Sequence, residues 1–287
     1  MPQDNHQTEE FLNNEYNPRL RVPDHLSVMH GWKKKSAQAR KHSDCELDAR
    51  YGEEKNETID IFYPSVRGDA PVLFFIHGGY WRGLDKGDFS FLAPPFTESG
   101  AAVFMPNYAL APSVSIAQIT DQVAGALEWT YLNAGEYGCN PDRIFIAGHS
   151  AGAHLAVMMM TSGRKSGRGI PLSQIVKGCA AVSGIYDLSP LVYTGFLKDD
   201  LKLDEKTAAE VSPVNMRPAG GAPLYTCVGG SESGEFLRQT AMLREKWKEV
   251  LKGDIPMPGY NHFNIVDAVS DPGSPLFKVI HEMLSSL

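Results

Sequence analysis

The chain moves between two hydrophobic rhythms. Residues 57–63, ETIDIFY, alternate apolar and polar side chains at period two, as a strand with one covered face does. Residues 72–76, VLFFI, are continuously apolar between Pro71 and Gly78, which predicts a strand buried on both faces. Similar short runs recur at 101–105 (AAVFM), 144–147 (IFIA), 178–182 (GCAAV) and 224–228 (LYTCV), and GDIPMP at 253–258 reads as the last strand. The stretches between them carry helical spacing: Ile116, Ile119, Val123, Leu127 and Tyr131 within 115–136, then Phe236, Leu237, Met242, Leu243 and Trp247 within 233–251. Strands alternating with helices predict an α/β fold, a mostly parallel central sheet flanked by helices. Only the stretch from Tyr186 to Pro218, with its prolines and a charged patch at 198–206, resists the alternation, and it is expected to form a small cap over the site. The whole is expected to be one domain over residues 1–287, with a helical extension over 1–50 and the cap segment at 186–218.

Composition narrows the function class. Apolar residues make up 43% of the 287 and charged residues 21%, the balance of a globular enzyme rather than of a disordered or fibrous chain. The formal charge of -7 gives no electrostatic reason to expect nucleic acid or an anionic membrane as partner. Lys33, Lys34 and Lys35, the one dense basic run, read as a solvated helix face. Cys45, Cys139, Cys179 and Cys227 form neither a CxxC pair nor a zinc-ligand spacing, so no disulfide framework, metal or other cofactor is expected. Residues 1–15 lack the positive and then apolar regions of a secretory signal, and no apolar run is long enough to cross a bilayer, so cytoplasmic residence is the expectation. The expected partner is a small-molecule substrate, and the expected assembly, if the chain self-associates, is a homodimer.

The strongest chemical signal is Gly148-His149-Ser150-Ala151-Gly152, which follows the apolar run IFIA and opens the helical stretch AHLAVMMM. A nucleophile on a sharp strand-to-helix turn needs small residues around it, because the backbone is strained and side chains would block approach to the oxygen. At a helix N-terminus the N–H of Ala151 has no intrahelical partner and is available to a developing oxyanion. Upstream, His77-Gly78-Gly79-Tyr80-Trp81 ends the buried run VLFFI, and a glycine loop there is suited to bring a second backbone donor to the same oxyanion. The expected oxyanion donors are Ala151 with Gly79, in the loop that Gly78 shares. His77 is read as shaping this loop and His154 as packing behind the nucleophile.

A serine hydroxyl needs a base, and the base needs an acid to orient it. His262, in a turn-prone loop after the last predicted strand, is the expected base. His6, His25, His30 and His42 precede the first clear strand of the sheet, and His281 lies in the terminal helix. The acid is sought after strand LYTCV, where Glu232 and Glu235 both stand; Glu232, nearer the strand end, is the choice. Asp187 follows a different strand and reads as a turn residue. The architecture these residues predict is the α/β-hydrolase fold, with Ser150, Glu232 and His262 in that chain order.

These segments together resemble the kynurenine formamidase (arylformamidase) family of α/β-hydrolases, whose HGGxW motif matches His77 to Trp81. The resemblance extends to Tyr16-Asn17-Pro18-Arg19, Ile59 to Pro64, Gly148 to His154, Ser183 to Leu188, Glu235-Phe236 and the loop around His262. It places the family's catalytic aspartate where this chain has Glu232. It implies cleavage of an N-formyl aryl amide, without a cofactor, through a formyl ester on Ser150 and proton transfer by His262. A formyl group offers little to recognise, so Tyr80, Trp81 and Tyr108 become candidate apolar walls, or else core residues. Arg82 is either a surface arginine or a guanidinium that clamps a substrate carboxylate. The rival functions are a short-chain carboxylesterase, a hydrolase of another N-formyl enamine or amide carrying carboxylates from N-heterocycle degradation, and a silent binding protein that keeps the fold.

Overall fold

The structure, a computed structural model, describes residues 8–66 and 68–286; residues 1–7 of the expected helical extension lie outside them. Eight strands form one sheet: β1 (Cys45–Arg50), β2 (Thr58–Phe62), β3 (Ala70–Ile76), β4 (Ala102–Pro106), β5 (Cys139–His149), β6 (Val176–Val182), β7 (Leu224–Gly229) and β8 (Leu251–Met257). Their order is β1-β2-β4-β3-β5-β6-β7-β8, antiparallel where β2 meets β1 and β4 and parallel from β4 onward. Helices α1 (Glu9–Tyr16), α2 (Pro18–Arg21) and α3 (His25–His42) precede the sheet. Between strands run α4 (Ala93–Glu98), α5 (Ile116–Asn133), α6 (Ala151–Met159), α7 (Leu172–Ile175), α8 (Gly195–Leu201), α9 (Glu205–Glu210) and α10 (Gly234–Lys246). The chain ends with α11 (Asn264–Val269) and α12 (Pro275–Ser285).

The unbroken apolar runs are the parallel centre of the sheet. On β3, Val72, Phe74 and Ile76 enter the core that holds α5 and α6, while Leu73 and Phe75 enter the opposite core with Phe96 and Ile280. Alternate residues of a strand point to opposite faces, so a strand covered on both sides must be apolar throughout.

β2 departs from its pattern. Its alternation predicts one wet face, yet Ile59, Asp60, Ile61 and Phe62 are all buried. Asp60 tolerates this because Lys86 Nζ lies 2.7 Å and Arg40 Nη2 2.9 Å from its two oxygens, and the Asp48 N–H donates to it at 2.9 Å. A buried carboxylate so paired avoids the desolvation cost of an isolated charge. β1 is a second departure: residues 45–50, expected within a helical extension, form an edge strand.

The 186–218 stretch holds α8, α9 and two short 3-10 turns and no strand of the sheet. Leu197, Leu201, Ala208, Val211 and Val214 anchor it in the core. At the other end of the chain, α1 buries Leu12 and Tyr16, and the Tyr16 hydroxyl donates to Glu235 Oε2 on α10 at 2.7 Å. Among the described residues no helix is long and apolar enough to cross a membrane.

Candidate active site

β5 delivers Ser150 at its end, and α6 begins at the next residue. Ser150 has φ 57° and ψ -121°, a conformation costly for a residue with a side chain. The surroundings hold it there. Its N–H donates to the Val182 carbonyl at 2.9 Å, and its own carbonyl accepts from Ala153 and His154 at 3.0 and 3.1 Å. Both motif glycines are needed by contact: a Cβ on Gly148 would overlap the Gly152 carbonyl, and one on Gly152 would overlap the Ile76 carbonyl.

Three side chains from three loops meet at this turn. His262, past the end of β8, places Nε2 3.0 Å from Ser150 Oγ and Nδ1 2.6 Å from Glu232 Oε2. Glu232 sits just after β7, and its Oε1 accepts from the Gly229 N–H at 2.8 Å and from the Ser183 hydroxyl at 2.5 Å. One carboxylate oxygen is therefore pinned to the scaffold while the other orients the imidazole. All three residues are buried. An imidazole with Nδ1–H held by a carboxylate presents an unprotonated Nε2 to the serine, the arrangement that removes the hydroxyl proton during attack.

The loop after β3 closes over the serine. Gly79, Tyr80 and Trp81 in succession have φ of 113°, 52° and 55°. A Cβ on Gly79 would overlap the Gly83 carbonyl, and one on Gly78 would come 2.7 Å from the His149 carbonyl oxygen and 3.1 Å from Ser150 Cβ. At Gly78 this loop backbone thus approaches the serine as closely as a glycine allows, while Gly79 lets the loop turn back on its own Gly83. His77 shapes it from below: Nε2–H donates to Asn107 Oδ1 at 3.1 Å, its ring stacks on Tyr108 at 4.3 Å, and burial holds its pKa below the ordinary histidine value.

Ser150 and His262 open into a cavity of about 450 Å³. Gly79, Tyr80, Arg82 and Leu84 form one wall, and Phe196 and Asp200 of α8 form another. The N-terminal segment supplies a third through Asn17, Pro18, Arg19, Met29 and Trp32. His149 also borders the cavity, with its ring 4.7 Å from that of His262; burial, then the neighbouring His262, hold its pKa well below the ordinary value. No group of three or more His, Cys, Asp or Glu side chains able to hold a metal occurs among the described residues.

Residues 59–213, more than half of the chain, match the BD-FAE family model. The chain belongs to the BD-FAE family. Kynurenine formamidase of Danio rerio is 29% identical over 94% of this chain and 92% of its own length, and that of Salmo salar 28% identical over 92% and 89%. A crystal structure from Silicibacter sp. TM1040, provisionally named a thioesterase, superposes with a TM-score of 0.83 at 30% identity, over 94% of this chain and 98% of that one. This BD-FAE chain is therefore an α/β-hydrolase of the kynurenine formamidase-like kind, an enzyme of the group that cleaves amide or carboxylic-ester bonds.

Within this BD-FAE site the expected residues divide. Ser150, Glu232 and His262 come together in one hydrogen-bonded chain, with Gly78, Gly79 and Ala151 around the serine. Glu235 faces away, bonded to Tyr16 and Arg238, and Asp187 accepts from the Ser189 N–H at 3.0 Å as a turn residue does. His154 is buried with Nε2 2.7 Å from the Val211 carbonyl. Tyr80 lines the cavity, its ring edge-on to Phe196 at 5.7 Å and its hydroxyl on the Tyr16 carbonyl.

Two expected walls are corrected. Trp81 is fully buried beneath the loop, edge-on to His154 at 5.0 Å. Tyr108 is buried against His77, whose carbonyl accepts its hydroxyl at 2.8 Å. Neither lines the cavity; both hold the loop's underside. Arg82 does line it, but its Nη1 is engaged by the Phe196 carbonyl at 2.6 Å and by the Asp200 carboxylate. The sequence alone assigned no role to Ser183, whose hydroxyl donates to Glu232, or to the wall residues at 17–32, Phe196 and Asp200. The available signals were Tyr16 to Arg19 and Ser183 to Leu188, matched segments with no role attached.

Proposed function

We propose that the protein is a serine hydrolase that cleaves a small acyl amide, an N-formyl aryl amide by preference, through a Ser150–His262–Glu232 triad. The observation that carries this reading is the continuous hydrogen-bonded chain from Ser150 Oγ through His262 to Glu232 at the floor of the cavity. The near-full-length similarity to kynurenine formamidases supports the formyl group as the acyl part. Ser150 Oγ attacks the formyl carbon as its proton passes to His262 Nε2, and the backbone N–H groups of Gly79 and Ala151 take the charge on the carbonyl oxygen. The C–N bond then breaks, His262 returns the proton to the departing amine, and a formyl ester remains on Ser150. Water, deprotonated by the same imidazole, attacks that ester; formate leaves and the serine recovers its proton.

A second reading, ester or thioester cleavage, draws on the structural relative named a thioesterase. The same triad and oxyanion donors serve either leaving group. Labelling with a fluorophosphonate tests the mechanism common to both: adduct mass on Ser150, blocked by Ser150→Ala and slowed by an N-formyl aryl amide present at saturation. An unlabelled Ser150 in folded protein refutes it, and formamide that gives no protection refutes the amide preference.

A further inference from the structure

The cavity carries guanidinium groups on two different walls, and they are not equivalent. Arg82, from the loop after β3, is neutralised where it stands by the Asp200 carboxylate and the Phe196 carbonyl. Arg19, from α2, lines the same cavity, is exposed, and has no side-chain hydrogen bond or ion pair among the described residues. Glu15, four residues before it, is already committed to Arg21, and Asp200 of the same cavity to Arg82. Its root is fixed: Pro18 before it is buried, and the Arg19 N–H donates to Asn17 Oδ1 at 3.3 Å. Both arginines share the cavity with the half-buried Tyr80.

An uncharged substrate has no use for a free cation at this place, whereas an anion gains a planar, two-pronged partner. An anion at Arg82 would have to displace Asp200 and the Phe196 carbonyl, which leaves Arg19 as the docking point. We propose that Arg19 makes this cavity select acyl donors that carry a carboxylate, the anion seated on Arg19 while the acyl carbon faces Ser150. The inference rests on the acyl-transfer reading of Ser150, but not on the acyl group being formyl. It moves anion recognition from Arg82, where the sequence suggested it, to the N-terminal segment.

The test uses two matched pairs: N-formylanthranilate against N-formylaniline, and 4-acetoxybenzoate against phenyl acetate. For each pair, the ratio of kcat/KM for the charged to the neutral member is measured in the wild type, Arg19→Gln and Arg19→Lys. Arg19→Gln is expected to lower that ratio about tenfold, equal to about 1.4 kcal/mol, chiefly through KM of the charged member. Arg19→Lys is expected to keep part of it, and added salt to lower the wild-type ratio but not that of Arg19→Gln. A ratio unmoved by Arg19→Gln in both pairs overturns the proposal. If only the esters turn over and their ratio still depends on Arg19, the anion site stands while the formamide reading falls. If neither pair turns over, protection of Ser150 from fluorophosphonate by anthranilate decides: protection about tenfold weaker in Arg19→Gln supports the site, and equal protection overturns it.

Discussion

Replacing Glu232 by glutamine keeps the size of the side chain and removes its charge, and the structure dictates which way the new amide must sit. Oε1 receives two donors, the Gly229 N–H at 2.8 Å and the Ser183 hydroxyl at 2.5 Å. An NH₂ group placed there would face the Gly229 N–H directly, so the glutamine oxygen takes that side. Its NH₂ then faces His262 Nδ1, where Oε2 stood at 2.6 Å. The imidazole can satisfy that donor only by giving up its Nδ1 proton and carrying the proton on Nε2. Nε2–H now points at Ser150 Oγ, 3.0 Å away, and cannot accept the hydroxyl proton. A wrong tautomer held in correct geometry costs about 10⁴ in kcat, as for other serine triads, or about 5.5 kcal/mol of barrier. The assay is kcat on an N-formyl aryl amide for the wild type and Glu232→Gln, with melting temperature measured alongside. Glu232→Asp, one methylene short, keeps the charge and is expected to fall between the two. A kcat for Glu232→Gln within tenfold of the wild type, in protein that melts normally, would show that Glu232 does not set the tautomer of His262.

Two further outcomes concern stability. Asp60→Ala leaves the buried Lys86 with only the exposed carboxylate of Asp48, and is expected to cost about 3 kcal/mol in urea unfolding; a loss below about 1 kcal/mol contradicts the reading of that cluster. His154 is buried with its pKa lowered to about 4, so between the ordinary histidine value and pH 4 the unfolded chain binds a proton that the native state refuses. Its contribution is present above that window and is lost as pH falls through it, about 3 kcal/mol by pH 4. Unfolding free energies of the wild type and His154→Gln at pH 7.5 and pH 4 check this, since the variant should lose less on acidification. An equal loss in both removes His154 from the account.

What the sequence made legible follows from how directly a side chain's surroundings are local. β3 and β5 were readable because a strand covered on both faces must be apolar at every position, and Ser150 because its turn demands glycine on both sides. Glu232 and His262 follow the ends of β7 and β8, so the chain order of the strands was enough to pair them. β1 was not readable: CELDAR is a largely exposed edge strand, and a strand without a buried face carries no apolar rhythm. The aromatic residues misled for a related reason. Tyr80, Trp81 and Tyr108 are alike in sequence, and only the left-handed run of backbone at 79–81 decides that Tyr80 faces the cavity while Trp81 lies under it. The other walls were hidden by distance, because Arg19, Trp32, Phe196 and Asp200 come to the cavity of Ser150 through tertiary packing alone.

The most direct test of the central claim is kcat/KM for N-formylkynurenine beside that for p-nitrophenyl acetate on one preparation, with Ser150→Ala as the blank. A value of about 10⁴ M⁻¹s⁻¹ or more is expected for the formamide, a lower one for the ester, and neither above background in the blank. Faster turnover of the ester would contradict the formamide preference, and formamide cleavage that survives in Ser150→Ala would contradict the mechanism itself.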